Sequence, residues 1–304
     1  MAITINTNVS SMIVQNNLAK STTALNSAIE RMTTGYKINH AADNAAGYSI
    51  ARNWEAQISS LDIAADNAAT GADMLSTLED HYALVSSHVQ RVRDLTEQAA
   101  NGTYGEQSKK AIEAEIKARL EEINRIASNC EFNGIKMMDG TNTSAKSIQV
   151  GIDGNAAKSQ ISLSADLFAS GKISSLFAIT GDGAYSPTGA DEDAKLAKLA
   201  KDCAGTSTGT GAKSPTDMLG TIDQVINKIS SRITTLGAAQ NRIESAIESI
   251  GVQSENITSS LSTLRDADVA TESSNYIKAQ ILQQASATLL ATANQSPSIA
   301  LNLL

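Results

Sequence analysis

"INKISSRITTLGAAQNRIESAIESIGVQSENITSSLSTLRD", residues 226–266, carries a heptad seam. Ile222, Ile229, Leu236, Ile243, Ile250, Ile257 and Leu264 recur every seven residues. Ile226, Ile233, Ile247 and Leu261 fill companion positions four residues on. A helix over residues 222–264 is about 64 Å long at ~1.5 Å per residue. A stripe of that length needs an equally long partner. Residues 50–92 supply one: Ile50, Trp54, Leu61, Ala65, Ala68, Ala72, Leu75, Tyr82, Val85, Val89 and Val92 step by threes, fours and sevens. The alanines allow close approach of helices. One long helix from each half of the chain, side by side, predicts a mainly α fold: a long antiparallel helical bundle or coiled-coil rod.

Composition agrees with helix-on-helix packing. Among 304 residues there are three Phe, six Tyr and one Trp, so core area must come from aliphatic side chains. The three prolines, at 187, 215 and 297, spare the long helical patterns. A net charge of −8 argues against non-specific nucleic-acid binding. No basic segment followed by a long apolar run marks the N-terminus as a secretory signal, and no run of about 20 apolar residues suggests a membrane span. Cys130 and Cys203 match no zinc spacing. His81 and His88 are seven apart on one helix face, which makes a metal pair geometrically conceivable, but no third ligand completes it. No nucleophile elbow, zincin, dinucleotide or phosphate-loop spacing occurs, so neither an enzyme nor a cofactor is expected.

The two ends are alike. Residues 1–29 hold one charged side chain, Lys20, and residues 279–304 hold none. Residues 10–33 read as an amphipathic helix with Val14, Leu18, Leu25, Ile29 and Met32 on one stripe. A final helix over about 270–294 places Ile277, Ile281, Leu282, Ala285 and Leu289 inward. Pro297 should end it, leaving an apolar tail with Leu303 and Leu304. Uncharged segments with apolar stripes suit burial against other copies, which makes Val14, Leu18, Leu25, Ile29, Ile281, Leu282, Leu289, Leu303 and Leu304 the candidate polymerisation residues. Between the ends, Ile112, Ile116, Leu120, Ile123 and Ala127 predict a third helix. "EFNGIKMMDG" and "SIQVGIDGN" predict β-hairpins with Asn-Gly and Asp-Gly turns. Residues 179–215, rich in Gly, Thr and Asp, read as an exposed, variable insert. In "QRVRDLTEQAANG" (90–102) Arg91 and Leu95 share a helix face, and the third helix, returning along the second, would bring Glu115 near.

These stretches resemble bacterial flagellin. "ITINTNVSSMIVQNNL" is similar to the family's start. "INHAADNAAGYSIA" resembles its I-N-S-A-x-D-D-A-A-G segment, with His40 and Asn44 as departures. "QRVRDL" is similar to Q-R-V-R-E-L, with Asp94 for Glu. "EFNGIKMMDG", "IQVGIDGN", "AAQNRIESAI", "ATESSNYIKAQILQQA" and "ANQSPSIALNLL" follow in the family's order. The resemblance covers about 1–178 and 216–304. It implies a filament subunit of the minimal type: a terminal inner-tube domain (1–41 and 268–304), a helical shaft with β-hairpins at its distal end (42–178 and 216–267) and a surface insert (179–215). It further implies secretion through the flagellar type III apparatus, extracellular assembly into a homopolymer and an export chaperone at the C-terminal helix. Contacts with hook-associated junction and cap proteins are implied as well. So is recognition by Toll-like receptor 5, whose contact residues fall on Arg91, Leu95 and Glu115. A hook–filament junction protein, or a soluble coiled-coil adaptor whose seams close internally, is the alternative reading.

Overall fold

The computed structural model describes residues 8–142, 144–178, 191–208 and 212–301, with side chains described as far as Gln295. The order is α1 (Val9–Thr34), α2 (Ala45–Ala100), α3 (Glu106–Asn129), β1 (Glu131–Phe132), β2 (Ile135–Lys136), β3 (Lys146–Gln149), α4 (Ala156–Ser159) and β4 (Gln160–Leu163). A 3-10 turn (Ala165–Phe168), α5 (Ile173–Leu176), α6 (Glu192–Ala204), α7 (Pro215–Arg265) and α8 (Val269–Leu301) complete it. The protein is mainly helical, with two small antiparallel strand pairs. Two compact units divide it, one from residues 1–59 and 253–304 and one from 60–252, and both draw on α2 and α7.

In the unit of residues 60–252 the two expected seams meet. Leu75, Leu78, Tyr82, Val85, Val89 and Val92 of α2 join Ile222, Ile229, Leu236 and Ile243 of α7 in one buried cluster, with Ile116, Leu120 and Ile123 of α3. The helices run antiparallel: Gln240 donates to Glu79 at 2.8 Å and Arg93 to Asp223 at 2.7 Å. A buried cation sits inside the seam. Arg232 is 8% exposed. Its Nη1 donates to the Tyr82 hydroxyl (3.2 Å) and to the carbonyls of Ala169 (3.4 Å) and Ser170 (3.3 Å). Tyr82 in turn donates to the Leu167 carbonyl at 3.1 Å. Burial raises the Tyr82 phenol above its ordinary 10.0, so the proton needed for that last bond stays in place.

The strand region confirms one hairpin and corrects the other. Asn133 and Gly134 both have positive φ (48° and 76°) between β1 and β2, as a tight turn matching the strand twist requires. Asp153-Gly154 does not close a tight turn. β3 pairs with β4 in the register Lys146↔Leu163, and α4 intervenes, because the Asn155 side chain caps it by accepting from the Ala157 N–H at 3.0 Å. β3 docks on α2 through a glycine. A Cβ on Gly71 would stand 2.4 Å from Ile148 Cδ1. Gly71→Ala is expected to destabilise by about 1–2 kcal/mol, overpacking outweighing the gain in helix propensity. In an Ile148→Ala background the same change becomes neutral or stabilising. Urea titration of both pairs checks this.

Two further expectations change. Residues 192–204, expected in an exposed insert, form α6, whose Leu196, Leu199, Ala200, Cys203 and Ala204 are buried in the same core. Its apolar residues at i, i+3, i+4 and i+7 need a partner, and they find α3. Gly205 ends it in the left-handed conformation, φ 66°. Residues 179–190 and 209–211 of the insert lie outside the described residues. At the other end, α8 does not stop before Pro297 but continues to Leu301.

Candidate functional site

In the unit of residues 1–59 and 253–304, α1 packs along α8. The seam follows from the sequence, but not on the face its apolar residues suggest. On α8 the covered positions are Glu272, Ala279 and Ser286, seven apart and 5–9% exposed. On α1 they are Ala28, which is buried, and the half-buried Val14, Leu18 and Leu25. Polar contacts span the seam: Arg31 to Glu272 at 3.4 Å, Gln283 to Thr22 at 3.3 Å and Ser11 to Asn294 at 2.9 Å. The small residues leave a groove of about 460 Å³ that Ala24, Ala28 and Ala279 help to line.

Many of the large apolar side chains of the hairpin therefore stay exposed outside it. Val9, Met12, Ile13 and Ile29 of α1 are 44–57% exposed, and Ile277, Ile281, Leu282 and Leu289 of α8 are 47–59% exposed. Among the described residues, twelve of the seventeen exposed large apolar side chains belong to this unit. Ile277, Ile281 and Leu282, with Ser274 and Lys278, shape a shallow concavity of about 400 Å³. A patch of this kind marks a surface that another molecule covers.

The segments that join α1 to α2 and α7 to α8 are stitched together. The Lys37 N–H donates to the Arg265 carbonyl and the Ala267 N–H to the Gly35 carbonyl, both at 2.8 Å. Gly35 permits this with φ 76°. The Arg265 guanidinium lies 4.0 Å over the Tyr36 ring and pairs with Glu55, which also pairs with Arg52 at 3.0 Å. Asp43 accepts from the backbone N–H groups of His40 (3.0 Å) and Asn39 (3.1 Å), which hold its carboxyl below the ordinary 3.8. Asn44 caps α2 through the Gly47 N–H at 2.9 Å, so this departure is a capping residue like the aspartate it replaces. Asp268 starts α8 by accepting from the Thr271 hydroxyl (2.6 Å) and the Ala270 N–H (3.0 Å), bonds that lower its pKa.

On the other unit, Arg91 and Glu115 do meet: Nε and Nη2 both donate to Glu115 Oε1, at 3.0 and 2.9 Å. Their side chains are 48% and 38% exposed. Leu95 does not join them at the surface. It is 2% exposed and part of the core, because the face four residues on from Arg91 has turned toward α3 and α7.

Two family descriptions match the chain: the bacterial flagellin N-terminal helical region over residues 5–143 and the C-terminal helical region over residues 219–304. The flagellin of Xenorhabdus nematophila is 39% identical over 316 residues, covering all of both chains. The chain belongs to the bacterial flagellin family. It is a structural subunit of the flagellar filament and not an enzyme. The flagellin of Bacillus subtilis (strain 168) is 35% identical, with 99% of each chain covered. The structure of a putative flagellar hook-associated protein from Vibrio parahaemolyticus aligns with a TM-score of 0.58 and 16% identity. It covers 74% of this chain and all of the other, and its likeness is one of fold.

Set against this flagellin's structure, the candidate residues divide. Val14, Leu18 and Leu25 are half-buried within the α1–α8 seam, whereas Ile29, Ile281, Leu282 and Leu289 are exposed. Ile281, Leu282 and Leu289 were expected inward and face outward, because the smaller Ala279 and Ser286 let α1 come closer. Leu303 and Leu304 lie outside the described residues. Arg232, Arg265 and Asn8 were missed. A charged residue between two seam positions, as Arg232 is between Ile229 and Ile233, is the signal that points to such a buried contact. Cys130 and Cys203 are unbridged and buried, which pushes both thiols up to about 12 and leaves them unreactive. Among the described residues no three His, Cys, Asp or Glu side chains gather as a metal set, and no helix is long and apolar enough to cross a membrane.

Proposed function

We propose that copies of this chain join in the filament through the outward apolar faces of α1 and α8. The observation that carries this is the concentration of exposed aliphatic side chains on a hairpin whose seam is polar and small on its α8 side. Covering them yields about 25 cal/mol per Å² of apolar area removed from water. In this reading the terminal helices form the inner tube and the unit rich in α2, α3 and α7 forms the shaft, to which α6 belongs. Before assembly the same face of α8 would be held by an export chaperone, and the chain would leave the cell through the flagellar type III apparatus. In the finished flagellum it would adjoin the hook-associated junction and cap proteins. The test is seeded polymerisation of purified chain followed by electron microscopy: filaments are expected, and a chain that stays monomeric over seeds removes the reading.

Recognition by Toll-like receptor 5 belongs to the same proposal. Arg91 and Glu115 are exposed and hold each other in place, which supports their offering a pre-ordered guanidinium and carboxylate. Leu95 is a buried core residue and offers no surface to the receptor in the folded monomer. Arg91→Ala is expected to weaken binding of the monomer to the receptor ectodomain, and unchanged affinity removes Arg91 from the site.

A further inference from the structure

Asn8 bonds in two directions. Its Oδ1 accepts from the Ser11 N–H at 3.1 Å and so caps α1. Its Nδ2 donates to the Ala293 carbonyl at 2.8 Å, across to α8 and 285 positions along the chain. That carbonyl is a particular one. In a helix it accepts from the N–H four residues on, and four residues on stands Pro297, which has no N–H. α8 nevertheless runs to Leu301. The donor that Pro297 lacks comes from Asn8, and Ser11 adds a bond to the neighbouring Asn294 side chain at 2.9 Å.

We propose that Asn8 and Pro297 form a register pin for the paired terminal helices, and that this register positions their outward apolar faces for assembly. The inference rests on the filament reading above. The seam repeats every seven residues (Glu272, Ala279 and Ser286 on α8, Leu18 and Leu25 on α1) and is small and polar on the α8 side, so a slip of one heptad loses little apolar burial. The pin removes that degeneracy. Pro297 is the one proline of α8, so one carbonyl within the helix lacks its donor, and one register sets Asn8 opposite it. A single polar residue in a coiled-coil seam fixes register in the same way.

The test uses the full chain. Asn8→Asp keeps a capping oxygen and loses the donor, and Asn8→Ser keeps a capping oxygen while its shorter side chain withdraws the hydroxyl from the Ala293 carbonyl. Either should speed hydrogen exchange of the α1 and α8 amides of the monomer about fivefold. In a Pro297→Ala background, where residue 297 regains its N–H, the same substitutions should leave exchange unchanged within about twofold. Pro297→Ala alone should slow exchange in the last turns of α8 yet raise the critical concentration for seeded assembly severalfold, because the pin is gone although the helix is more regular. An equal rise in exchange in both backgrounds overturns the pin. An unchanged critical concentration for Pro297→Ala overturns its role in assembly. Failure of the unaltered chain to polymerise strikes the filament reading instead, and it is told apart because the exchange coupling is read on the monomer.

Discussion

Leu199→Ala should lower the unfolding free energy of the monomer by about 2–5 kcal/mol, the usual cost of emptying a fully buried leucine site. Replacing residues 192–204 with a Gly-Ser linker should remove most of the stability of the unit that α6 completes. Leu196, Leu199, Ala200 and Cys203 are 0–2% exposed, and their loss would uncover the apolar face of α3 on which they rest. Asp202 is fully buried as well, with Lys198 Nζ at 3.1 Å, and a linker removes this ion pair as a whole. Ala194→Ser, on the exposed side of the same helix, is the control and should stay within about 0.5 kcal/mol. Urea titration followed by circular dichroism separates the two. A Leu199→Ala chain as stable as the control would return α6 to the status of a dispensable surface insert.

Ile281→Ser and Leu289→Ser should act in the opposite manner, sparing the monomer and disabling the polymer. Both side chains are exposed, at 59% and 57%, so the isolated chain loses almost no burial. In a filament each would be covered by a neighbour, and a buried leucine or isoleucine contributes about 1.5–3 kcal/mol. The critical concentration for assembly should therefore rise about tenfold to a hundredfold for each change. Thermal unfolding of the monomer should move little. Ala279→Asp offers the contrast: it lies in the α1–α8 seam, 5% exposed, and should loosen the hairpin itself. Normal assembly of the Ile281→Ser, Leu289→Ser double variant would mean that copies meet elsewhere.

Both kinds of error in the sequence reading have one cause. Periodicity reports that a helix has an apolar stripe, and not what the stripe faces. For α7 the distinction is harmless, since Ile222 to Ile243 meet α2 and α3 within the chain. For α8 it matters, because two stripes compete. Ala279 and Ser286 win the intrachain seam through small size, and the larger Ile281 and Leu289 are left outside. Leu95 shows the converse: four residues from an exposed arginine, it is core. α6 was legible in principle. "KLAKLAKDCAG" carries the 3-4 spacing and a terminal glycine, but its Gly- and Thr-rich surroundings hid a helix of thirteen residues. The register pin could not be read locally, since Asn8 and the Ala293 carbonyl it meets are 285 positions apart.

The buried Arg232 also governs the order in which this chain can fold. Its bond to Tyr82 spans 150 residues, and the Gln240–Glu79 bond spans 161. Contacts of such separation must meet the entropy of closing a long loop before any burial rewards them, so they form late. Until α7 arrives, Tyr82 lacks the guanidinium and the segment at 167–170 lacks its anchor. The core of α2 is left without its facing stripe over the same interval. A nascent chain that ends before Pro215 is thus denied its native topology and gains it only when the last third is present. This late closure is a property of the connectivity, and circular permutation would not relieve it, because Tyr82 and Arg232 lie 150 positions apart in a chain of 304 and are almost equally distant by either path.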